Sequence, residues 1–159
     1  MKHINKVMVC IDLSEYSKAN LEYALELAGN SGAEIVVQNV INQRDINAVE
    51  MVACYYPDKI NLERYIETTK KERMESLRRL VMENFFDQKS GMNFRVDAGY
   101  PFEEILKAID EEKADIVVMG NKGRGNLSRT LFGSAAEKVF RHSPVPVVSV
   151  RDRQKFKRN

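Results

Sequence analysis

One stretch decides the fold: ADIVVMGNKGRGNLSRTLFGSAAEKV, residues 114–139. Its first seven residues are mostly apolar and β-branched, which predicts the buried central strand of a parallel sheet over residues 114–120. Glycines at positions 120, 123, 125 and 133 follow, and Ser134 opens an amphipathic helix predicted over residues 134–142. A strand, a glycine-rich loop and a helix in this order predict an α/β protein whose loop can hold an anion.

The rest of the chain alternates between the periods of strands and helices. Apolar runs predict four more strands, at residues 4–12, 33–41, 92–99 and 145–150. Amphipathic patterns predict three more helices, at residues 15–30, at 60–87 and from Pro101 onward. Ser14 is expected to cap the first helix. This alternation predicts an α/β fold, a three-layer doubly wound sandwich around a five-stranded parallel sheet.

One segment gives no clear signal. Residues 42–59 follow neither the strand nor the helix period, so we expect a loop with, at most, a short helical piece. Tyr55 and Tyr56 lie in this segment, either as partial cover for the sheet or as a lid over a ligand.

The composition limits the class of protein. The chain has 159 residues, of which 43% are hydrophobic and 30% charged, as in one soluble domain. We assign the domain to residues 1–151 and a basic tail to residues 152–159. Because Cys10 and Cys54 match no metal or redox spacing, a cytoplasmic location is expected. The sequence contains neither a signal peptide nor an apolar run that could cross a membrane, and no motif for binding nucleic acid.

The glycine-rich loop falls where a parallel sheet binds ligands. In doubly wound sheets, ligands lie beyond the carboxyl ends of the strands, where the strand order reverses. The first strand ends near Asp12, the second near Val40, and the fourth at Met119 and Gly120. Free backbone amides in the loop and at the start of the next helix favour phosphate groups. Lys122, Arg124 and Arg129 add positive charge, although the two arginines are expected to face solvent.

The sequence resembles the universal stress protein family in its nucleotide-binding branch. The resemblance rests on Gly120-x2-Gly123-x9-Gly133-Ser134, on VMVCIDLSE at residues 7–15 and on SPVPVVSVR at residues 143–151. It extends over residues 4–151. It implies the strand order 3-2-1-4-5, a site for ATP with Mg²⁺, and a homodimer.

The resemblance also implies roles for individual residues. Asp12 would contact the adenosine or help to hold a cation, and Val40 would bind the adenine edge through its backbone. Ile11 stands beside them, where the family often has proline. Met119 and Gly120 would line the ribose. The phosphates would be held by main-chain amides and the serine hydroxyl at Gly123, Gly133, Ser134 and Ala135, with Lys122 as a further contact.

Two of these residues have structural alternatives. Ser134 and Glu137 have the spacing of a capping box, in which the serine caps the helix and the glutamate reaches back. The alternative for Asp12 is a purely structural role, as a turn residue before the first helix.

Two functions remain open from the sequence. The first is an ATP-binding regulatory protein of the stress response with little or no hydrolysis, because GxxxxGK[ST] and the kinase HRD and DFG motifs are missing. The second is a dimeric protein-interaction module with a vestigial nucleotide site, in which the charged helix at residues 60–87 would dock a protein partner. In both, the apolar strand Val145–Val150 lies at a sheet edge and is expected to pair antiparallel with its copy in a homodimer.

Overall fold

The computed structural model describes residues 3–29, 31–121 and 133–151. Five parallel strands form one sheet in the order β3-β2-β1-β4-β5, which confirms the predicted fold class and strand order. The strands are β1 (Lys6–Cys10), β2 (Glu34–Asn42), β3 (Met92–Gly99), β4 (Ile116–Gly120) and β5 (Val147–Val150). The helices are α1 (Ser17–Gly29), α2 (Gln43–Tyr55), α3 (Leu62–Asn84), α4 (Pro101–Glu112) and α5 (Ser134–His142), with a short 3₁₀ segment at Phe86–Gly91.

The helices form one layer on each face of the sheet. Alternate residues of the central strands face opposite layers, so each layer closes over its own apolar core. Val9, Val37 and Val118 face the layer of α1 and α3, together with Leu21 and Leu77. Met8, Val36 and Val117 face the layer of α4 and α5, together with Ile109 and Val139.

The strands end at different heights along the carboxyl edge of the sheet. The ladder between β1 and β2 ends at Cys10 opposite Gln38, whereas the ladder between β2 and β3 continues to Asn42 opposite Gly99. β4 likewise continues past its last pairing with β1, at Val118, and pairs with β5 as far as Gly120. Because β1 stops before both of its neighbours, β2 and β4, a crevice lies beyond its end.

The segment at residues 42–59 was predicted wrongly. It contains α2, a helix of 13 residues whose N-cap is Asn42, with the side chain of Asn42 accepting from the amide of Arg44 at 3.0 Å. Ile46 is the residue of α2 that is buried. Val49 and Ala53, three and seven residues after Ile46, are half-buried, so α2 carries a short apolar stripe that the sequence analysis missed.

The first helix also begins later than predicted. α1 starts at Ser17, and Ser14 lies in the turn before it, where its hydroxyl accepts from the amide of Tyr16 at 3.3 Å. In the described ranges, none of the helices is both long enough and apolar enough to span a bilayer.

Candidate functional site

The turn after β1 is organised by Asp12. Its Oδ1 accepts hydrogen bonds from the amide of Ser14 at 3.0 Å and from the hydroxyl of Ser17 at 3.3 Å. Leu13, between them, has a φ of +61°, a left-handed conformation that side chains other than glycine rarely adopt. Asp12 therefore fills the turn role given above as its alternative, and it lies beside the crevice at the end of β1.

Ile11 is less available than the sequence implied. Its side chain is 2% exposed and packs in the core under α1. Its amide donates to the carbonyl of Gln38 at 2.8 Å, and its carbonyl accepts from Nδ2 of Asn39 at 2.7 Å. With both main-chain groups bonded and the side chain buried, Ile11 supports the crevice floor and has little surface for a ligand.

Val40 presents its backbone to the crevice. The carbonyl of Gln38 points toward β1, because it accepts from Ile11. Alternate residues of a strand direct their amide and carbonyl to the same edge, so those of Val40 point the same way. β1 has already ended there, and the Ile11 carbonyl that would continue the ladder accepts the side chain of Asn39 instead. The backbone of Val40 therefore faces the crevice.

The fourth strand leads to the glycine-rich loop. Met119 is buried, and Gly120 is half-buried opposite Val150. Five residues named in the sequence analysis lie outside the described residues: Lys122, Gly123, Arg124, Gly125 and Arg129. The described ends of the loop meet, because the amide of Gly133 donates to the carbonyl of Asn121 at 2.8 Å.

That contact corrects the role expected for Gly133. Its amide is already bonded to Asn121 and is therefore not a free donor for a phosphate. Gly133 is instead the N-cap residue of α5, and its carbonyl accepts the first helical bond, from Glu137 at 3.0 Å. The next amides, those of Ser134 and Ala135, have no acceptor within the helix.

Ser134 does not form the expected capping box. It is the first residue of α5, after the cap, and no side chain caps this helix. Glu137 pairs with Arg141 at 2.9 Å rather than reaching back to the helix start. The hydroxyl of Ser134 is exposed at the N-terminus of α5.

A cavity of about 440 Å³ opens at this terminus, and we call it the basic cavity. Its volume lies in the range of about 300–1,000 Å³ typical of small-molecule sites. The N-terminal turns of α2, α4 and α5 surround it. The lining residues within the described part of the chain are Asn42, Arg44, Asn47, Tyr100, Pro101, Phe102, Ser134, Ala135 and Lys138.

Two of the predicted site residues lie in the wall of the basic cavity. Ser134 and Ala135 line it directly, and Asn42, two residues after Val40 on β2, forms part of the opposite wall. Asp12, Met119 and Gly120 do not line it and lie along the strand ends. Of the ten predicted residues, the structure therefore brings two to the cavity wall, leaves six along the adjoining edge, and does not describe Lys122 and Gly123.

Buried polar atoms without partners gather near the crevice. Among the described residues they are Oδ1 of Asn20, Oδ1 of Asn39, Nδ2 of Asn121 and Oγ of Ser149. Asn20 and Asn39 each donate through Nδ2 to a carbonyl at the end of β1, at Cys10 and Ile11. Asn121 directly follows β4. Buried polar atoms of this kind are the ones that bind ordered water or a ligand.

A second polar cluster lies under α4 and was not anticipated from the sequence. Gln38 is 1% exposed, and its Nε2 donates to Asp97 at 2.9 Å and to the carbonyl of Glu104 at 3.2 Å. Arg95 donates to the same carboxylate at 2.6 Å. This hydrogen bond with Asp97 is the largest of the causes that raise the pKa of Arg95. The alternation of polar residues along β3 was the available signal.

Cys10 faces the same side of the sheet. Its sulfur lies 4.0 Å from Oε1 of Gln38, and burial raises the pKa of its thiol to about 12. A thiol of this kind is a poor nucleophile and a poor metal ligand near neutral pH. In the part of the chain that the structure describes, no group of three or more His, Cys, Asp or Glu side chains could hold a metal ion. A magnesium ion here would depend chiefly on the phosphates of its nucleotide.

A second cavity, of about 460 Å³, lies on the other side of the sheet, between the N-terminus of α1 and the middle of α3. We call it the mixed cavity, because two arginines and two glutamates line it. The lining residues are Leu13, Ser14, Ser17, Glu72, Arg73, Ser76, Arg79, Leu80 and Glu83. It contains none of the predicted site residues.

Comparison with known proteins gives one consistent answer. The model of the universal stress protein family matches residues 3–151. Universal stress protein MJ0577 of Methanocaldococcus jannaschii is 28% identical over 153 residues, covering 92% of this chain and 94% of that protein. A universal stress protein of Thermus aquaticus is 32% identical over 149 residues, covering 91% of this chain and 97% of that protein.

Solved structures agree with this similarity. That of MJ0577 has a TM-score of 0.77 at 25% identity and covers 96% of this chain and 99% of that one. A universal stress protein solved in complex with cAMP has a TM-score of 0.63 at 22% identity, over 94% of this chain and 98% of that one.

Proposed function

The chain belongs to the universal stress protein family, and from that premise we propose that it is a regulatory stress-response protein that binds ATP with Mg²⁺. The nucleotide would occupy the crevice and the basic cavity. The adenine would meet the backbone of Val40, and the phosphates would meet the N-terminus of α5. A structural neighbour solved with cAMP, itself an adenine nucleotide, supports this class of ligand.

One observation carries the proposal: free amides and positive charge line the same cavity. The amides of Ser134 and Ala135 lack acceptors within α5, and the dipole of the helix adds partial positive charge at this end. Arg44 and Lys138 line the same cavity, and no acidic side chain is among its described lining residues. Such a surface favours a polyanion.

The affinity expected from these groups is moderate. A hydrogen bond to a charged group contributes about 1.5–3 kcal/mol, and a micromolar dissociation constant corresponds to about −8 kcal/mol. Three or four such bonds, with the adenine packed in the crevice, are enough for micromolar binding after the cost of association.

We also propose that hydrolysis is slow or absent. Fast phosphoryl transfer requires a residue that orients the attacking water. The described lining of the basic cavity contains amides, a hydroxyl, cations and aromatic rings, but no carboxylate or imidazole. ATP would then act as a bound signal rather than as a substrate.

Isothermal titration calorimetry with ATP and Mg²⁺ tests the proposal. We expect micromolar binding with one site per chain, and no heat with an unphosphorylated adenosine control at the same concentration. A chain that takes up no ATP at millimolar ligand would refute the proposal. If that chain still formed dimers, the interaction module with a vestigial site would be the better description.

We further propose that the protein is a homodimer that pairs through β5. Within the ranges that the structure describes, this strand bonds to β4 on one side and to no strand on the other, where its main-chain groups form a sheet edge. Val147 and Val148 are half-exposed there, and Pro144 and Pro146 precede the strand. An apolar edge of this kind pairs readily with a copy of itself.

Analytical ultracentrifugation of Val148→Lys tests the dimer. A charge in the paired edge should give monomers, while Val52→Lys, on the exposed face of α2, should leave the dimer intact. A Val148→Lys protein that sediments as the parent does would exclude this interface.

A further inference from the structure

We infer that Lys138 and Arg44 make the basic cavity selective for nucleotides with two or three phosphates over those with one, such as AMP or cAMP. This inference rests on the proposed function, since it concerns the ligand of the same cavity. It assigns the selectivity to two side chains outside the glycine-rich loop.

The charge of the cavity is the first reason. Two of its described lining residues are cationic and none is acidic. The mixed cavity, which is similar in size, balances two arginines with two glutamates. An unbalanced pair of cations attracts a ligand more strongly as the ligand gains negative charge, and each added phosphate supplies more.

Lys138 is held at the wall of the basic cavity by the ring of Phe102. It lies one turn after Ser134 on α5, and side chains of a helix lean toward the N-terminus. Its Nζ lies 4.4 Å from the centre of the Phe102 ring, on the cavity wall. The nearby carboxylate of Glu137 is taken by Arg141 at 2.9 Å. The contact with the aromatic ring positions the ammonium group without neutralising it, so its charge is available to a bound phosphate.

Arg44 faces the cavity from the other side. It is the second residue of α2, so it also lies near the positive end of a helix. Its side chain is 87% exposed, and its only recorded ion pair within the described residues joins Nε to Asp45 at 3.7 Å. Such an exposed pair contributes little, so Arg44 can turn toward a phosphate at small cost.

The two cations respond to the number of negative charges on the phosphates. Val40 and the amides of Ser134 and Ala135 would contact groups that every adenine nucleotide has, the adenine and one phosphate. Removing a cation should therefore weaken the binding of ATP more than the binding of cAMP. Loss of a purely structural residue would weaken both ligands equally, so the ratio of the two affinities separates the explanations.

The test is calorimetric titration of ATP, AMP and cAMP into the parent chain, Lys138→Gln, Arg44→Gln and a matched control, Arg141→Gln. Arg141 is on the same helix and its loss changes the charge equally, but it pairs with Glu137 and is not a described lining residue. Unfolding temperatures show whether each variant is folded.

We expect the parent to prefer ATP over cAMP by about tenfold or more, as one charged hydrogen bond would give. Lys138→Gln should weaken ATP about tenfold and cAMP less than about threefold, and Arg44→Gln should act in the same direction more weakly. Arg141→Gln should change neither. An unchanged ratio of ATP to cAMP affinity in both cavity variants would overturn the inference and leave ATP binding intact. A parent chain that binds no nucleotide would overturn the proposed function and this inference together.

Discussion

The two faces of the sheet each carry a cavity of nearly the same volume, yet they differ in chemistry. The mixed cavity under α1 and α3 balances its charges, and its wall includes Leu13 and Ser14 from the turn after β1 but nothing described from the glycine-rich loop or α5. The basic cavity beside α4 and α5 has cations, amides and helix N-termini without described acidic residues. Volume alone would rank the two equally. Charge and unpaired backbone groups are the reasons for proposing the second as the nucleotide site.

The difference continues into the layers beneath. The face toward α1 and α3 buries neutral polar side chains, those of Ser17, Asn20 and Asn39. The face toward α4 instead carries a thiol and an ion-paired carboxylate, those of Cys10 and Asp97, beside Gln38. A buried polar group is tolerated when it is hydrogen-bonded, and Gln38 reaches two acceptors. Four substitutions or probes test this contrast.

The largest contrast is between the two thiols. Burial against the α4 and α5 layer raises the pKa of Cys10 to about 12, while Cys54 is exposed on α2. A pKa about three units above that of an ordinary thiol lowers the thiolate fraction at pH 8 by roughly 1,000-fold. Labelling with a disulfide reagent at pH 8 should therefore be at least about 100-fold slower in Cys54→Ser than in Cys10→Ser.

Raising the pH should reduce the difference between the two labelling rates, because the thiolate of Cys10 forms only as the pH approaches its raised pKa. In denaturant, both variants should react at similar rates. Rapid labelling of Cys10 in the folded chain would contradict the packing described for this face.

An added negative charge distinguishes the two cavities as binding sites. Ser134→Asp places a carboxylate where the phosphates are expected, and should weaken ATP about 100-fold, equivalent to about 2.7 kcal/mol. The helix itself should not lose stability, because an acidic residue suits its first turn. Ser76→Asp, on the wall of the mixed cavity, is the control and should leave the affinity unchanged. Equal losses in both variants, measured by calorimetry, would show that the binding is not local to the basic cavity.

Substitutions of glycine by alanine compare how tightly the two helix layers pack. Gly99 has a φ of +155°, and a Cβ there would lie 2.7 Å from Oε1 and 2.9 Å from Cγ of Glu104. Gly99→Ala should therefore lower the free energy of unfolding by about 2 kcal/mol. Gly29, in α1 on the other face, has nothing within 4 Å of the same atom.

Chemical denaturation measures both, and Gly29→Ala should be neutral or slightly stabilising. A Gly99→Ala protein as stable as the parent would mean that the side chain of Glu104 moves aside freely.

The smallest effect concerns how the helices end. The connection after α1 uses Gly32 at a φ of +68°, whereas α4 ends with Lys113 at +54°. Side chains other than glycine are strained there, so Lys113→Gly should raise the free energy of unfolding by about 0.5–1 kcal/mol, and Gly32→Ala should lower it by a similar amount. Neither should change the affinity for ATP. Opposite signs in denaturation experiments would contradict the left-handed conformations.

Much of the fold followed from the sequence because hydrophobic periods report burial directly. The third strand and the last helix were predicted at their observed limits, Met92–Gly99 and Ser134–His142. The predictions failed where local chemistry competes. Ser14 looked like a helix cap, but Asp12 forms a turn that delays α1 until Ser17. α2 was missed because its apolar stripe is limited to Ile46, Val49 and Ala53, and most of the helix is exposed.

The candidate site divides in the same way. Ser134, Ala135 and Val40 were named from the sequence, because a motif and a strand end can be located along a chain. Lys138 and Arg44 were not, since residues so far apart become neighbours only when α2 and α5 pack at one edge of the sheet.

The sequence by itself determined the alternation of strands and helices and the family, because these depend on periodicity and on residues close together in the chain. Tertiary structure alone decided that the amide of Gly133 donates to Asn121, that Ile11 is buried in the core, and that two cations line one cavity. Hydrogen-bond partners and charge balance depend on which distant segments meet, and that is settled by packing.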